Sequence, residues 1–156
     1  MVFTESQQRT LQAVLDRLIP ADDYPSAWEA GVGDYIARQL EGDSKHLIAS
    51  YRLGLDAMDA EAVTAYEQHF IDLYPARQDA LITSLERGVT GALWVIPAAG
   101  FVNTLIHHAM EGYYADPAQG GNRGAKSWVM IGFDQILRAE AKELGCPEGF
   151  LISGKP

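Results

Sequence analysis

The sequence predicts an all-α protein: a compact single-domain helical bundle of about six or seven helices over residues 1–156, with a long glycine- and aromatic-rich loop near its C-terminal end. Apolar residues recur at spacings of three and four through most of the chain, and no alternating strand pattern of useful length appears. The 156 residues, of which 47% are hydrophobic and 21% charged, also suffice for one domain with its own core.

The first two helices are separated by a turn. Thr4 and Gln7 have the spacing of a capping box, and helical periodicity then continues to Pro20, so the first helix is predicted to end near Ile19. Residues 22–25 carry two aspartates and a proline, which favour a turn. A second helix is indicated by apolar residues at Trp28, Val32, Tyr35, Ile36 and Leu40.

Four further helices are predicted in the middle of the chain. Ser44 is predicted to cap a third helix, and Asp59 a fourth. Pro75 suits the first turn of a fifth helix that ends near Gly88, and a sixth begins at about Pro97. Their apolar faces are Leu47, Ile48, Tyr51, Leu55 and Met58, then Val63, Tyr66 and Phe70, then Leu81 and Leu85, then Phe101, Leu105, His108 and Gly112.

The helical periodicity breaks between Tyr113 and Lys126 and resumes weakly from Trp128 to Leu144. The break contains proline and glycine residues, which form turns. It is also flanked by or contains tyrosine, tryptophan and arginine, the residue types that most often anchor protein interfaces. The segment is therefore compatible with two roles, of which the first is partner contact at Tyr113, Tyr114, Asp116, Gly120, Gly121, Asn122, Arg123 and Trp128. The alternative is that these aromatic residues cap the core of the bundle itself.

Charge excludes some classes of partner. The formal net charge is -9, with 21 acidic and 12 basic residues, so the chain repels nucleic acid and anionic lipid. The stretch from Gly88 to Met110 is uncharged and long enough to cross a bilayer. Its apolar character is diluted by Pro97, Asn103, Thr104, His107 and His108, so no membrane span is predicted.

No catalytic, cofactor-binding or metal-binding residue is predicted in this chain. Residues 120–127 come within one residue of a phosphate-binding loop, but alanine stands at Ala125 where that motif has glycine, and no strand precedes it. Glu-x-x-His, the repeated motif of bundle metal sites, and Gly-x-Ser-x-Gly are both missing. Cys146 is the single cysteine, which rules out an intramolecular disulfide and fits a reducing compartment.

Two other functions remain open from the sequence. A stand-alone helical protein could bind a metal or small molecule through His107, His108 and Glu111, of which the first and last are four residues apart on one helix face. Alternatively, a small-molecule pocket could be lined by Trp94, Phe101 and Trp128.

Two groups of short motifs resemble one known family, the gluconate 2-dehydrogenase subunit 3 family. The late group is Gly112-Tyr113-Tyr114, Asp116-Pro117, Gly120-Gly121-Asn122, Trp128 and Ile131-Gly132-Phe133. The early group is Leu18-Ile19-Pro20, Asp22, Pro25, Ala27 and Ala30-Gly31-Val32, with Gly54-Leu55 and Phe70 further on. The likeness spans about residues 11 to 133.

The resemblance implies that the chain is a non-catalytic small subunit. It would bind and stabilise a large FAD-containing flavoprotein of the glucose-methanol-choline oxidoreductase type, which oxidises a sugar hydroxyl, with a cytochrome c subunit as a third component in some complexes. Members of this family commonly carry a twin-arginine export signal, and none is visible here. The expected location is therefore cytoplasmic, or periplasmic if a signal was removed or the partner is exported. The helical pattern from Asp134 to Leu144 also extends beyond the expected end of the domain.

Overall fold

A computed structural model describes residues 2–144, and within that range it contains seven α-helices and no β-strand. The prediction of an all-α fold is confirmed. The helices are α1 (Glu5–Leu18), α2 (Val32–Glu41), α3 (Ile48–Tyr66), α4 (Pro75–Glu86), α5 (Ala98–Tyr114), α6 (Lys126–Met130) and α7 (Phe133–Glu143). Short 3-10 turns occupy Lys45–Leu47, Phe70–Asp72, Pro117–Gln119 and Arg123–Ala125. The lone Cys146 lies outside the described residues.

Helix α1 begins with the predicted capping box. The backbone N–H of Gln7 donates to Thr4 Oγ1 at 3.2 Å, and the Thr4 N–H donates to Gln7 Oε1 at 3.1 Å. Two of the N–H groups that every helix start leaves without a helical partner are thereby satisfied. The helix ends at Leu18, two residues before Pro20, as the sequence predicts.

The predicted third and fourth helices form one continuous helix, α3. Leu55, Met58 and Ala62 are buried on both sides of Asp59, so the apolar face of the helix continues through the predicted boundary. Asp59 caps a later segment instead, because its carboxylate accepts a hydrogen bond from the Phe70 N–H at 2.9 Å. The Ser44 side chain makes no capping bond either. A capping residue is a local signal, and here the longer apolar face decides the structure.

Helix α5 is the centre of the bundle and contacts α1, α2, α3, α4 and α6. Its inward face includes Phe101, Leu105 and Ala109, all nearly inaccessible to solvent. Helix α3 approaches it closely at Gly54, where an added Cβ would lie 2.5 Å from the Phe101 ring. The first turn of α5, where Phe101 lies, is therefore held against α3.

The uncharged stretch from Gly88 to Met110 is divided between two kinds of structure. Its first part is the loop before α5, and only the part from Ala98 onward is helical. Within residues 2–144, no helix is both long enough and apolar enough to cross a membrane. The predicted helical tail is present as α7, none of whose residues is buried.

Candidate partner-contact surface

The candidate site is the 112–133 segment, which begins in the last turn of α5. The predicted break at Tyr113 is wrong by two residues, because α5 continues to Tyr114. Gly112 packs against α2 so closely that an added Cβ would lie 2.8 Å from the Tyr35 ring. This close packing of α2 on α5 determines where the rest of the segment starts.

The 112–133 segment folds onto the turn that precedes α2. The Tyr113 side chain is only 3% exposed, and its hydroxyl donates to the Pro25 carbonyl at 2.8 Å. The Arg123 N–H donates to the Ala30 carbonyl at 2.9 Å. Gly31 completes the contact, since a Cβ on it would lie 2.5 Å from the Gly120 carbonyl oxygen. The early and late motifs, distant in sequence, thus contact each other directly.

Asn122 closes the loop from inside. It is fully buried, its Nδ2 donates to the Ala115 carbonyl at 2.9 Å, and its Oδ1 accepts from the Ser127 N–H at 3.0 Å. Its backbone has a φ of 46°, a left-handed conformation that asparagine tolerates better than most residues. Neighbouring Gly121 lies against the end of α5, where an added Cβ would be 2.0 Å from the Gly112 carbonyl oxygen.

Other predicted contact residues lie at the surface. Tyr114 is 40% exposed, and Asp116 and Arg123 are also exposed. The Asp116 carboxylate accepts from the Ala118 N–H, and the Arg123 guanidinium pairs with the carboxylate of Asp34. Each of these side chains keeps much of its surface open to solvent while its position is restrained.

Trp128 is half-buried and links the loop to the last helices. Its Nε1 donates to the Tyr114 carbonyl at 2.9 Å, and its ring meets the Phe133 ring edge-on with centroids 5.3 Å apart. Sequence reasoning missed two exposed apolar residues beside it, Val129 and Ile131. Both lie within three residues of Trp128 in the sequence, and their apolar character was the available signal.

The two alternatives from the sequence, partner surface and core cap, therefore each describe part of the segment. Tyr113, Gly121 and Asn122 fill the contact with the rest of the bundle. Tyr114 and Arg123, with the half-buried Trp128, present surface to solvent. Partner contact stays a prediction, and side-chain exposure favours Tyr114, Arg123 and Trp128 as the contact residues.

The histidines of α5 are not arranged as a metal site. His108 Nδ1 is hydrogen-bonded to the buried Tyr51 hydroxyl at 2.7 Å, and the two rings stack with centroids 5.8 Å apart. His107 is exposed to solvent. Among the residues that the structure describes, no group of three or more His, Cys, Asp or Glu side chains could hold a metal ion. The bond to Tyr51 instead gives His108 a structural role.

The proposed pocket of Trp94, Phe101 and Trp128 is not formed. The Trp94 ring packs near Phe101 at the first turn of α5, with centroids 6.2 Å apart. Trp128 contacts Tyr114, at the other end of the same helix. Thirteen residues separate Phe101 from Tyr114, which at the rise of an α-helix is about 20 Å. The sequence could not reveal this separation, because the position of Trp128 relative to α5 depends on tertiary contacts.

His69 and His108 are predicted to titrate on opposite sides of the usual histidine pKa of about 6.5. The hydrogen bond to the Asp59 carboxylate raises the pKa of His69, which is exposed. Burial lowers the pKa of His108, and the charge of Glu111 opposes part of that shift. Two separate transitions are expected in an NMR titration of the ring protons.

Asp59→Asn should move the His69 transition downward and leave that of His108 in place. In the pH range between the pKa of His108 in the folded chain and about 6.5, this ring is more protonated in the unfolded chain than in the folded chain. The contribution of His108 to the free energy of unfolding therefore rises with pH in that range. Coincident titration of the two rings in the unmodified protein would contradict this account.

Comparison with known proteins identifies the family. A family model described as Gluconate 2-dehydrogenase subunit 3 matches residues 5–134. The chain belongs to this family. The match covers α1 to α6, and with them both motif groups and the contact between them. No curated protein and no solved structure matches the chain. Membership of the gluconate 2-dehydrogenase subunit 3 family implies a place in a multi-subunit dehydrogenase complex.

Proposed function

We propose that the chain is the non-catalytic small subunit of an FAD-dependent sugar or glycoside dehydrogenase. It binds and stabilises a large flavoprotein subunit of the glucose-methanol-choline type, which carries FAD and oxidises a sugar hydroxyl. A cytochrome c subunit is a candidate third component. The family match over residues 5–134 is the observation that carries this proposal.

The geometry of the 112–133 segment supports a binding role. Hydrogen bonds of Asn122 and Tyr113 hold the segment in one conformation, while Tyr114, Arg123 and part of Trp128 remain accessible. A surface that is ordered before binding loses less conformational entropy when the complex forms. Tyrosine, tryptophan and arginine are also the side chains most often found to dominate binding energy.

Stabilisation of the partner follows from mass action. A subunit that binds only the folded flavoprotein raises the folded fraction of that protein, and it can also hold a conformation able to take up FAD. This role needs no catalytic group in the small subunit. The complex would act in the cytoplasm, or in the periplasm if it is exported together with its partner.

Co-expression with a large FAD-containing flavoprotein subunit of the glucose-methanol-choline type tests the proposal. The amount of soluble large subunit and its flavin absorbance per mole of protein are expected to fall when the small subunit is omitted. If the large subunit is equally soluble and equally loaded with FAD without this chain, the maturation role is refuted.

Tyr114→Ala is expected to weaken the complex about tenfold or more, because the variant removes an accessible aromatic side chain from the proposed contact. Affinity would be measured by biolayer interferometry with the purified large subunit. Tyr74→Ala is the matched control, since Tyr74 is also an exposed tyrosine, at 56%, but lies at the start of α4. If the two variants bind with equal affinity, Tyr114 is not part of the contact.

A further inference from the structure

The loop between α4 and α5 displays an unusual amount of apolar surface. In this segment, the 89–96 loop, Leu93 is 85% exposed, Val95 74% and Val89 61%. Single apolar residues on a protein surface are ordinary, but three strongly exposed ones within seven residues are unusual. No charged residue interrupts the sequence from Gly88 to Met110. The uncharged stretch, for which no membrane span is predicted, thus displays apolar side chains in its first part.

The 89–96 loop is held in place by a buried carboxylate on α3. Glu61 is only 7% exposed, and its side chain accepts hydrogen bonds from the N–H groups of Gly91 at 2.6 Å and Ala92 at 2.9 Å. It also accepts a bond from Trp94 Nε1 at 3.1 Å. A buried carboxylate is costly unless it is hydrogen-bonded in this way, so the bonds fix the loop and the glutamate together.

The anchoring determines which side chains face outward. Trp94 and Ile96 pack against the core, and the Trp94 ring lies near Phe101. Leu93 and Val95 alternate with them and are the exposed members of the pair. The exposure is therefore imposed by an ordered loop conformation. An ordered apolar projection suits insertion into a pocket of another protein.

Charge favours a different protein over a second copy as the occupant. Each copy of the chain carries a formal net charge of -9, so self-association would bring two strongly acidic molecules together. An uncharged projection on an acidic chain is complementary to an apolar pocket with a neutral or basic rim. A chain that works in a multi-subunit dehydrogenase has such a heterologous partner available.

We propose that the 89–96 loop is a second docking element, which inserts Leu93 and Val95 into an apolar pocket of the large flavoprotein subunit. This inference rests on the proposed function and adds a surface to it. The loop precedes α5 and the 112–133 segment follows it, so the two surfaces are separated by the helix length of about 25 Å. A standard interface of about 800 Å² per partner can extend over that distance.

The test compares matched variants of the full chain in binding to the purified, FAD-loaded large subunit. Leu93→Glu is expected to weaken affinity about 30-fold or more, because a charge would enter an apolar pocket. Leu53→Glu is the control: Leu53 is an exposed leucine, at 42%, on α3. It is expected to change affinity by no more than about twofold. Both free variants should keep the helical circular dichroism and melting temperature of the unmodified chain.

The outcomes separate this inference from the proposed function. If the unmodified chain and Leu93→Glu bind equally well, the loop is not a docking element, while the proposed function stands. If the unmodified chain does not bind the flavoprotein, both are overturned. Self-association that light scattering detects in the free chain, and that Leu93→Glu abolishes, would identify a second copy as the occupant. If hydrogen exchange in the 89–96 loop becomes faster when residues 145–156 are deleted, the chain's own tail is the occupant. Either of these results would overturn the proposal.

Discussion

Gly121→Ala is expected to lower the free energy of unfolding by about 4 kcal/mol, or to prevent folding altogether. The added Cβ would lie 2.0 Å from the Gly112 carbonyl oxygen and 2.8 Å from its carbonyl carbon. Both atoms belong to the backbone of α5, which cannot turn aside as a flexible side chain can. Gly112 itself is pressed against the Tyr35 ring, so the clash cannot be relieved by moving α5 toward α2. The measurement is urea denaturation followed by circular dichroism.

Gly100→Ala is the matched control for this prediction. Gly100 lies in the first turn of α5, and the nearest atom to an added Cβ is the Pro97 Cβ at 3.7 Å, an ordinary contact distance. Alanine favours the helix over glycine by up to about 1 kcal/mol, so this variant should be neutral or more stable. A loss below about 1 kcal/mol for Gly121→Ala would mean that the loop does not lie against α5 in this way.

The helices whose signals are local could be predicted from the sequence. The capping box of Thr4 and Gln7 and the stop at Pro20 determine α1, and Pro75 at the first turn determines α4. The division of α3 at Asp59 failed because a capping residue was given more weight than the apolar face that continues past it. The length of an apolar face is also a sequence signal, and it was the better one in this case.

The candidate surfaces depend on contacts that no local pattern encodes. Asn122 is recognisable as a turn residue, but the burial of its side chain depends on the carbonyl of Ala115 and the N–H of Ser127 meeting it from both sides. Nothing in the sequence around Glu61 distinguishes it from other helical glutamates. Its role depends on the fold, which places it against a loop thirty residues later in the chain. The sequence supplied the residue types, and tertiary packing decided which face the interior.

Several of the motif residues that indicate the family make contacts within the fold itself. Gly31 meets Gly120, Tyr113 binds the Pro25 carbonyl, and Gly121 meets Gly112. A motif built from such contacts identifies a structure more directly than it identifies a binding residue. The partner-contact predictions are therefore strongest at side chains that these contacts hold but leave exposed, and in the 89–96 loop, which lies outside the motifs.

Asn122→Ala is expected to lower the free energy of unfolding by about 3 kcal/mol. The change leaves the Ser127 N–H buried without its acceptor and the Ala115 carbonyl without its donor. It also places alanine at a φ of 46°, which costs about 1 kcal/mol or more. Chemical denaturation at pH 7 measures the loss, and the m-value should stay unchanged if the native and unfolded states keep their extent.

Two further variants divide this effect into its parts. Asn122→Gly removes the same two hydrogen bonds but tolerates the left-handed backbone, so it should cost about 1 kcal/mol less than Asn122→Ala. Asn103→Ala changes an exposed asparagine on α5 and should alter stability by no more than about 0.5 kcal/mol. Equal losses for Asn122→Ala and Asn103→Ala would show that Asn122 does not hold the loop. In that case Tyr114 and Arg123 would lose the rigid support on which their predicted partner contact depends.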